Sequence, residues 1–292
     1  MDDMAPPAPT LITVAPTGAE TAKADAPGLP ATTAELVATG RVCQDAGAAV
    51  IHVHVRDADD APSLDLGRLR EAVAGLREAT DLVVQLSTGG AVSDSEEDRL
   101  AVLEADPDAA SLTCGTVNFG SDVFVNRWPF MVELYQRMLE RGIVPEFEIF
   151  DLGQVASLRR LLDGYGPPPG GHVHCDLVMG VPGGMPGTPD ALVAAVAALP
   201  EGATFSATGV GRTSLPVALA ALAAGGHLRV GMEDTLTFAP GEPVRDNAQL
   251  VQRAADLARL AQRPPMTTSD ARGMLGVRDR RTETSPVTAG RV

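Results

Sequence analysis

Ile51-His52-Val53-His54-Val55-Arg56-Asp57 alternates β-branched and polar residues along its length. Side chains on a strand repeat every two positions, so His52 and His54 project to one side while Ile51, Val53 and Val55 face apolar packing on the other. Two imidazoles held side by side on a stiff backbone make half of a transition-metal site. The chain has 5 histidines, and two of them stand here. The plain alternative is a pair of hydrogen-bonded core histidines. A third ligand elsewhere in the chain must decide between the two.

Strand-like and helix-like segments alternate outward from this run in both directions. Before it come a strand over 11–14, the turn Pro16-Thr17-Gly18-Ala19-Glu20, and a loop through Pro27, Gly28 and Pro30. Thr32-Thr33-Ala34-Glu35 is then a capping box that opens a helix ending near residue 46. After it, a helix over 66–79 leads to a strand over 82–86 that ends in Ser87-Thr88-Gly89-Gly90. A helix near 95–105, a strand over 110–113 and a long loop through Asn118-Phe119-Gly120 follow. Next come a helix over 127–141 and a strand over 144–150 in which Glu146 and Glu148 alternate with apolar residues. A helix over 152–162 and a strand over 173–179 lead into Gly180-Val181-Pro182-Gly183-Gly184. Thr188-Pro189 pairs an N-cap with a first-turn proline. A strand over 204–208 ends in Gly209-Val210-Gly211-Arg212, and a helix over 215–224 precedes a strand over 227–230. Gly231-Met232-Glu233-Asp234 and a last core helix over 246–263 complete the series.

Eight strands alternating with eight helices, at about 30 residues per pair, predict an α/β fold of the (β/α)8 TIM-barrel type. Polar residues and glycines gather at the C-terminal ends of the strands, where barrel enzymes build their sites. A doubly wound open sheet would show one dominant glycine-rich turn after the first strand, whereas glycine turns here follow several strands. The barrel is expected to occupy 1–277 as one catalytic domain. The charged, Thr/Pro-containing segment 278–292 reads as a C-terminal tail, flexible or reaching to a partner subunit.

The net charge of −15 and the 3% aromatic content argue against nucleic acid and anionic membranes as partners. No apolar run approaches the ~20 residues of a membrane span. The opening Met1-Asp2-Asp3-Met4-Ala5-Pro6-Pro7 lacks the features of a signal peptide. Cys43, Cys114 and Cys175 are odd in number and show no CxxC spacing, so a reducing cytoplasm is expected. Lys23 is the sole lysine and lies in a loop, so Schiff-base chemistry from a barrel strand is not available. Carbon–carbon bond chemistry would then need a metal as its electron sink.

Even-numbered barrel strands contribute side chains at one height. His52 and His54 on the second strand and Glu233 just beyond the eighth therefore form a candidate metal set of the open, catalytic kind suited to Zn²⁺. Asp234 and Arg229 flank Glu233. Arg229 and the metal would draw the Asp234 pKa down, leaving it a base on a metal-activated proton. Ser87, Thr88, Gly89 and Gly90, joined by Ser111 and Thr113, offer hydroxyls and open amides suited to a carboxylate. Gly209, Gly211 and Arg212 follow the seventh strand, a common phosphate position that would suit a phosphorylated cofactor. Glu20 and Glu148 face the same pocket and would prefer a cationic group. The second pair, His172 and His174, lies at the N-terminal end of its strand, and His227 begins its own, so all three read as structural.

Taken together, Thr17-Gly18-Ala19-Glu20, the run from His52 to Asp57, Ser87-Thr88-Gly89-Gly90, Asn118-Phe119-Gly120 and Pro145-Glu146-Phe147-Glu148 resemble the β-keto acid cleavage enzyme family. Gly180-Val181-Pro182-Gly183-Gly184, Gly209-Val210-Gly211-Arg212 and the segment Gly225 to Asp234 continue the likeness in the same order. It covers roughly residues 10–275. The resemblance implies a zinc-dependent (β/α)8 barrel, commonly a homotetramer, that condenses a β-keto acid with acetyl-CoA and releases acetoacetate and a new acyl-CoA. It implies His52, His54 and Glu233 as zinc ligands, and Asp234 with Arg229 as the base pair that forms the enolate. Ser87, Gly90 and Ser111 match positions for the substrate carboxylate. Glu20 and Glu148 match positions for an amino group, as in 3-keto-5-aminohexanoate, and one branch of the family serves lysine fermentation. Thr113-Cys114 stands where relatives more often carry asparagine, and Thr213-Ser214 where bulkier residues are usual. Both changes touch the pocket wall and bear on substrate choice.

Two other readings belong to different classes. A zinc-dependent barrel hydrolase also starts from His-x-His on a strand, but it would add histidines at the ends of the fifth and sixth strands. A metabolite-binding barrel without catalysis would have no need of the complete His-His-Glu-Asp set.

Overall fold

A computed structural model describes residues 8–278. Except for Arg278, the tail expected at 278–292 lies outside the described residues. Eight parallel strands close into a barrel: β1 (Ile12–Val14), β2 (Val50–Val53), β3 (Val83–Leu86), β4 (Ala109–Thr113), β5 (Val144–Ile149), β6 (His174–Met179), β7 (Thr204–Gly209) and β8 (His227–Val230). Each strand pairs with the next in sequence, and β1 closes the ring against β8 with Thr13 opposite Arg229. The helices on the outside are α1 (Thr33–Ala46), α2 (Leu66–Ala79), α3 (Glu96–Ala101), α4 (Trp128–Arg141), α5 (Leu152–Tyr165), α6 (Pro189–Ala198), α7 (Ser214–Ala223), α8 (Asn247–Leu260) and α9 (Thr268–Leu275).

Alternation along the strands separates two environments. Ile12, Val14, Ile51, Val53, Leu86, Leu112, Phe147, Ile149, Leu177 and Leu228 are buried in one apolar cluster with helix residues such as Leu36, Leu69, Leu76, Leu134 and Leu158. The hydrophobic core therefore lies between barrel and helices. The intervening strand residues Thr13, His52, Gln85, Ser111, Glu146, Glu148, His174, Asp176, Ser206, Thr208 and Arg229 are also buried. The barrel axis is a column of polar groups, where many barrels pack branched apolar side chains.

Several boundaries differ from the sequence expectations, each for a local reason. The His-x-His run is not one continuous strand. Its barrel portion stops at Val53, and Val55–Arg56 turns away to pair antiparallel with Pro62–Ser63. Arg56 holds that turn by donating to the carbonyls of Gly18, Thr21 and Asp60 at 3.0, 2.6 and 2.8 Å. The helix near 95–105 is α-helical only to Ala101 and continues as a 3-10 turn, Val102–Ala105. The loop through Asn118 is a hairpin, Val117–Phe119 against Asp122–Phe124. α8 is not the last helix. In α9, Thr267 Oγ1 accepts the Asp270 amide at 3.1 Å, and Ala271 and Leu275 close the barrel's N-terminal end against Leu11, Val50, Val83 and Val144.

Candidate metal centre and active site

The C-terminal mouth of the barrel opens into a cavity of about 910 Å³, counting its open entrance. The 231–235 turn after β8 brings Glu233 to it. Gly231 passes against β1 so closely that a Cβ there would lie 1.9 Å from the Ala15 carbonyl oxygen. Asn247 on α8 staples the turn, its side chain accepting from the Met232 amide at 2.9 Å and donating to the Pro16 carbonyl at 3.1 Å.

Glu233 Oε1 sits 3.8 Å from His52 Nε2 and 3.7 Å from His54 Nε2. One ligand atom from each of these three residues falls within 4.8 Å of the others, the arrangement a metal ion requires. His52 Nδ1 donates to Gln85 Oε1 at 2.5 Å, which turns the Nε2 lone pair toward the cavity. Burial, with Arg229 and His54 nearby, pushes the His52 pKa down to about 3, so the imidazole is neutral, as a ligand must be. Burial alone would raise the Glu233 pKa, but Arg229 and the two histidines more than reverse this and hold it ionised. Its Oε2 is buried with no hydrogen-bond partner. A buried anionic oxygen without a donor is costly, and a cation bound there would satisfy it. The donor set therefore fits a divalent transition metal.

Arg229 organises the carboxylates around this point. It donates to Asp234 Oδ1 at 3.1 Å, to Asp234 Oδ2 and Glu148 Oε1 at 3.4 Å, and to Glu233 Oε1, and it lies 3.8 Å from Asp176. Four carboxylates share one guanidinium, and Glu146 lies buried nearby. The interior is short of positive charge and attracts cations. Without the metal, the lowering of the Asp234 pKa expected from metal and Arg229 together does not appear. Burial outweighs the pull of Arg229, Glu233 and Glu148 add to it, and the group is pushed up to about 7.

Glu20, Ser87, Gly90, Glu148, His52, His54, Arg229, Glu233 and Asp234 all line the cavity. Glu20 is exposed at the rim and has no hydrogen-bond or ion-pair partner among the described residues. Glu148 is occupied from behind, accepting from Thr113 Oγ1 at 2.7 Å. Thr88, Ser111 and Thr113 stand behind the wall. Ser111 Oγ accepts the Thr88 amide at 3.2 Å, and Thr88 Oγ1 donates to the Ser111 carbonyl at 2.8 Å. Gly209, Gly211 and Arg212 do not line the cavity, though Val210 between them does. Arg212 is exposed, and the Gly211 amide donates to the Asp234 carbonyl at 2.7 Å.

Other participants went unread in the sequence. Val92, Phe119, Phe124, Phe150, Val178 and Val181 form an apolar wall. Arg99 on α3 braces it, donating to the carbonyls of Thr88 and Val125 at 2.7 and 2.8 Å while it lies between the Phe124 and Phe130 rings. Gln85 and Asp176 join the polar column. A lone polar residue in an otherwise apolar strand (Val83-Val84-Gln85-Leu86) was the available signal. His174 and His227 pack together at the other end of the barrel, with ring centroids 5.8 Å apart.

The beta-keto acid cleavage enzyme family profile matches residues 9–277. The chain is 38% identical over 270 residues to the 3-keto-5-aminohexanoate cleavage enzyme of Acetoanaerobium sticklandii, covering 91% of this chain and 98% of that protein. It is 34% identical to the 3-oxoadipate:acetyl-CoA acetyltransferase of Cupriavidus necator, covering 92% and 95%. Among solved structures, apo ObcA superposes with a TM-score of 0.74 at 21% identity, covering 87% of this chain and 66% of that one, a likeness of fold.

Proposed function

The chain belongs to the beta-keto acid cleavage enzyme family, and on that premise we propose that its site is zinc-dependent and that its substrate is an amino-substituted β-keto acid such as 3-keto-5-aminohexanoate. The protein is an acetyl-CoA-dependent transferase of β-keto acids. The overall exchange moves an acyl group: the β-keto acid and acetyl-CoA become acetoacetate and the acyl-CoA of the remaining fragment. The observation that carries the zinc reading is the convergence of His52, His54 and Glu233, with Glu233 Oε2 buried and lacking a donor.

A zinc ion held by His52, His54 and Glu233 would supply Lewis acidity toward the keto oxygen. The chain's own groups do the rest. Asp234 takes the proton from the carbon between the keto and carboxylate groups. Arg229 holds both Asp234 oxygens, fixing the base in place. Ser87 and the loop through Gly90 receive the carboxylate end. Phe119, Phe124 and Phe150 keep water from the reacting carbons. Glu20, unpaired at the rim, receives the ammonium group, with Glu148 deeper on the same path. The shortage of positive charge in the cavity supports both cations. A homotetramer in the cytoplasm and a place in lysine fermentation belong to the same proposal. No helix among the described residues is long and apolar enough to cross a membrane.

Metal analysis combined with an acetoacetate assay tests this. The expected result is about one zinc per chain and acetyl-CoA-dependent turnover that favours amino-substituted keto acids, with that preference lost in Glu20→Gln. Unchanged preference in Glu20→Gln would remove the cationic substrate and leave the reaction. Turnover without any bound metal would remove the zinc.

A further inference from the structure

We propose that Gln85 is a positioning residue of the metal centre, locking His52 in the Nδ1–H tautomer so that Nε2 alone is free for a metal. It rests on the metal-site reading above and extends it one residue deeper along the barrel axis. Gln85 is the residue beside His52 in the parallel register of β2 and β3, so the two side chains project inward at the same level. Both are almost fully buried, with 1% and 2% of their surfaces exposed. The 2.5 Å contact with Gln85 Oε1 is the only hydrogen bond of His52 Nδ1 to a side chain among the described residues.

The direction of that bond decides whether the site works. An imidazole binds a metal through the nitrogen that carries no proton, and the partner of the other nitrogen sets which one that is. A carboxamide has one accepting and one donating end, so its orientation is itself a choice. With Oε1 toward His52, Nδ1 carries the proton and Nε2 points its lone pair at Glu233. With the amide reversed, Nδ1 would have to accept, the proton would move to Nε2, and the metal would meet an N–H.

Glu146 on β5 is the next buried polar group of the same column. Glu146 is 5% exposed, and its Oε1 has no partner of its own. The other oxygen lies 3.6 Å from His174 Nε2. In the polar column the orienting contact on His52 is therefore the one from Gln85, with Glu146 and His174 paired beside it.

The test uses the full chain stripped of metal. With 5 histidines, a long-range proton–nitrogen NMR spectrum resolves each imidazole, and His52→Asn identifies the His52 signals. Zinc affinity is measured separately, by competition with a chromophoric chelator. Wild type is expected to show His52 as Nδ1–H. Gln85→Met should give a mixture of tautomers and bind zinc about 10–100-fold more weakly. Gln85→Glu, an isostere that can only accept once ionised, should at a pH where that carboxylate is ionised keep both the tautomer and an affinity within a few-fold of wild type. Wild-type His52 found as Nε2–H would overturn the proposal, and so would Gln85→Met with unaltered tautomer and affinity. A folded Gln85→Glu as impaired as Gln85→Met would also overturn it. Where Gln85→Met does not fold, the wild-type tautomer and Gln85→Glu decide. Neither readout involves turnover, so a wrong substrate assignment leaves the result intact. Zinc failing to bind the wild type would instead refute the metal-site reading.

Discussion

Glu233 shows how much of this site depends on one neighbour without a side chain. Gly18 has a φ of +65°, and a methyl group there would lie 2.6 Å from Glu233 Cγ. Gly18→Ala therefore carries a backbone cost of about 1 kcal/mol and also pushes the carboxylate out of line with His52 and His54. Zinc affinity should fall by about tenfold or more, with the melting temperature only slightly lower. Unchanged affinity would mean that Glu233 is not held where a third ligand must be. Asp234 carries a different lesson. Arg229 and a bound metal, both read from the sequence, predict a lowered pKa. In the metal-free site, burial and the Glu148 carboxylate, visible only in three dimensions, join the neighbouring Glu233 in raising it instead.

Among the elements, α1 was read correctly from its first turn. Thr32 Oγ1 accepts the Glu35 amide at 3.2 Å, and Glu35 Oε2 accepts the amides of Thr32 and Ala31 at 3.1 and 2.9 Å. The other Glu35 oxygen pairs with Lys23, so the chain's one lysine serves a helix cap. Thr32→Ala should cost about 1 kcal/mol in denaturant unfolding. The hydrogen bond from Lys23, followed by that from the Ala31 amide, lowers the Glu35 pKa from 4.5 to about 2. A depressed carboxylate stabilises the fold above its unfolded pKa and loses that contribution as pH falls through its folded one. The advantage of wild type over Glu35→Gln should be complete above pH 4.5 and gone near pH 2. A constant difference across that range would show that the cap acts without its charge. β2 was legible as a strand but not in its length. What ends it is Arg56 reaching carbonyls 35 and 38 residues earlier in the chain, and no local pattern encodes that reach.

At the scale of the whole molecule, a polar axis inside an apolar shell makes stability depend on pH. Burial, reinforced by Asp176, pushes the Glu146 pKa up from 4.5 to about 8, and burial likewise pushes Asp176 up from 3.8 to about 7. The folded chain keeps protons that the unfolded chain releases near pH 4. Stability from these groups is therefore highest at low pH and falls as pH rises through the window up to about 8. In the metal-free protein, Glu146→Gln removes one of these titrations. Its melting temperature relative to wild type should climb steadily between pH 4.5 and 8. A flat difference would mean that Glu146 is ionised in the fold at neutral pH.

The order of strands and helices through α8 and the barrel they form were legible in the sequence, which also singled out His52, His54, Glu233, Glu20 and Asp234 as candidates that the fold brings to one cavity. Alternation, glycine turns and caps are local signals, and a barrel's topology follows from their repetition. Three things came only from the tertiary structure. It moved Thr88, Ser111 and Thr113 behind the wall, because a hydroxyl at a strand end can bond its neighbour as readily as a ligand. It assembled the apolar wall from four separate loops and added α9 as the barrel's floor. It also gathered Gln85, Glu146 and Asp176 around the axis, where burial and mutual repulsion set their protons. Those quantities depend on distances between residues far apart in the chain, which spacing along the sequence does not contain.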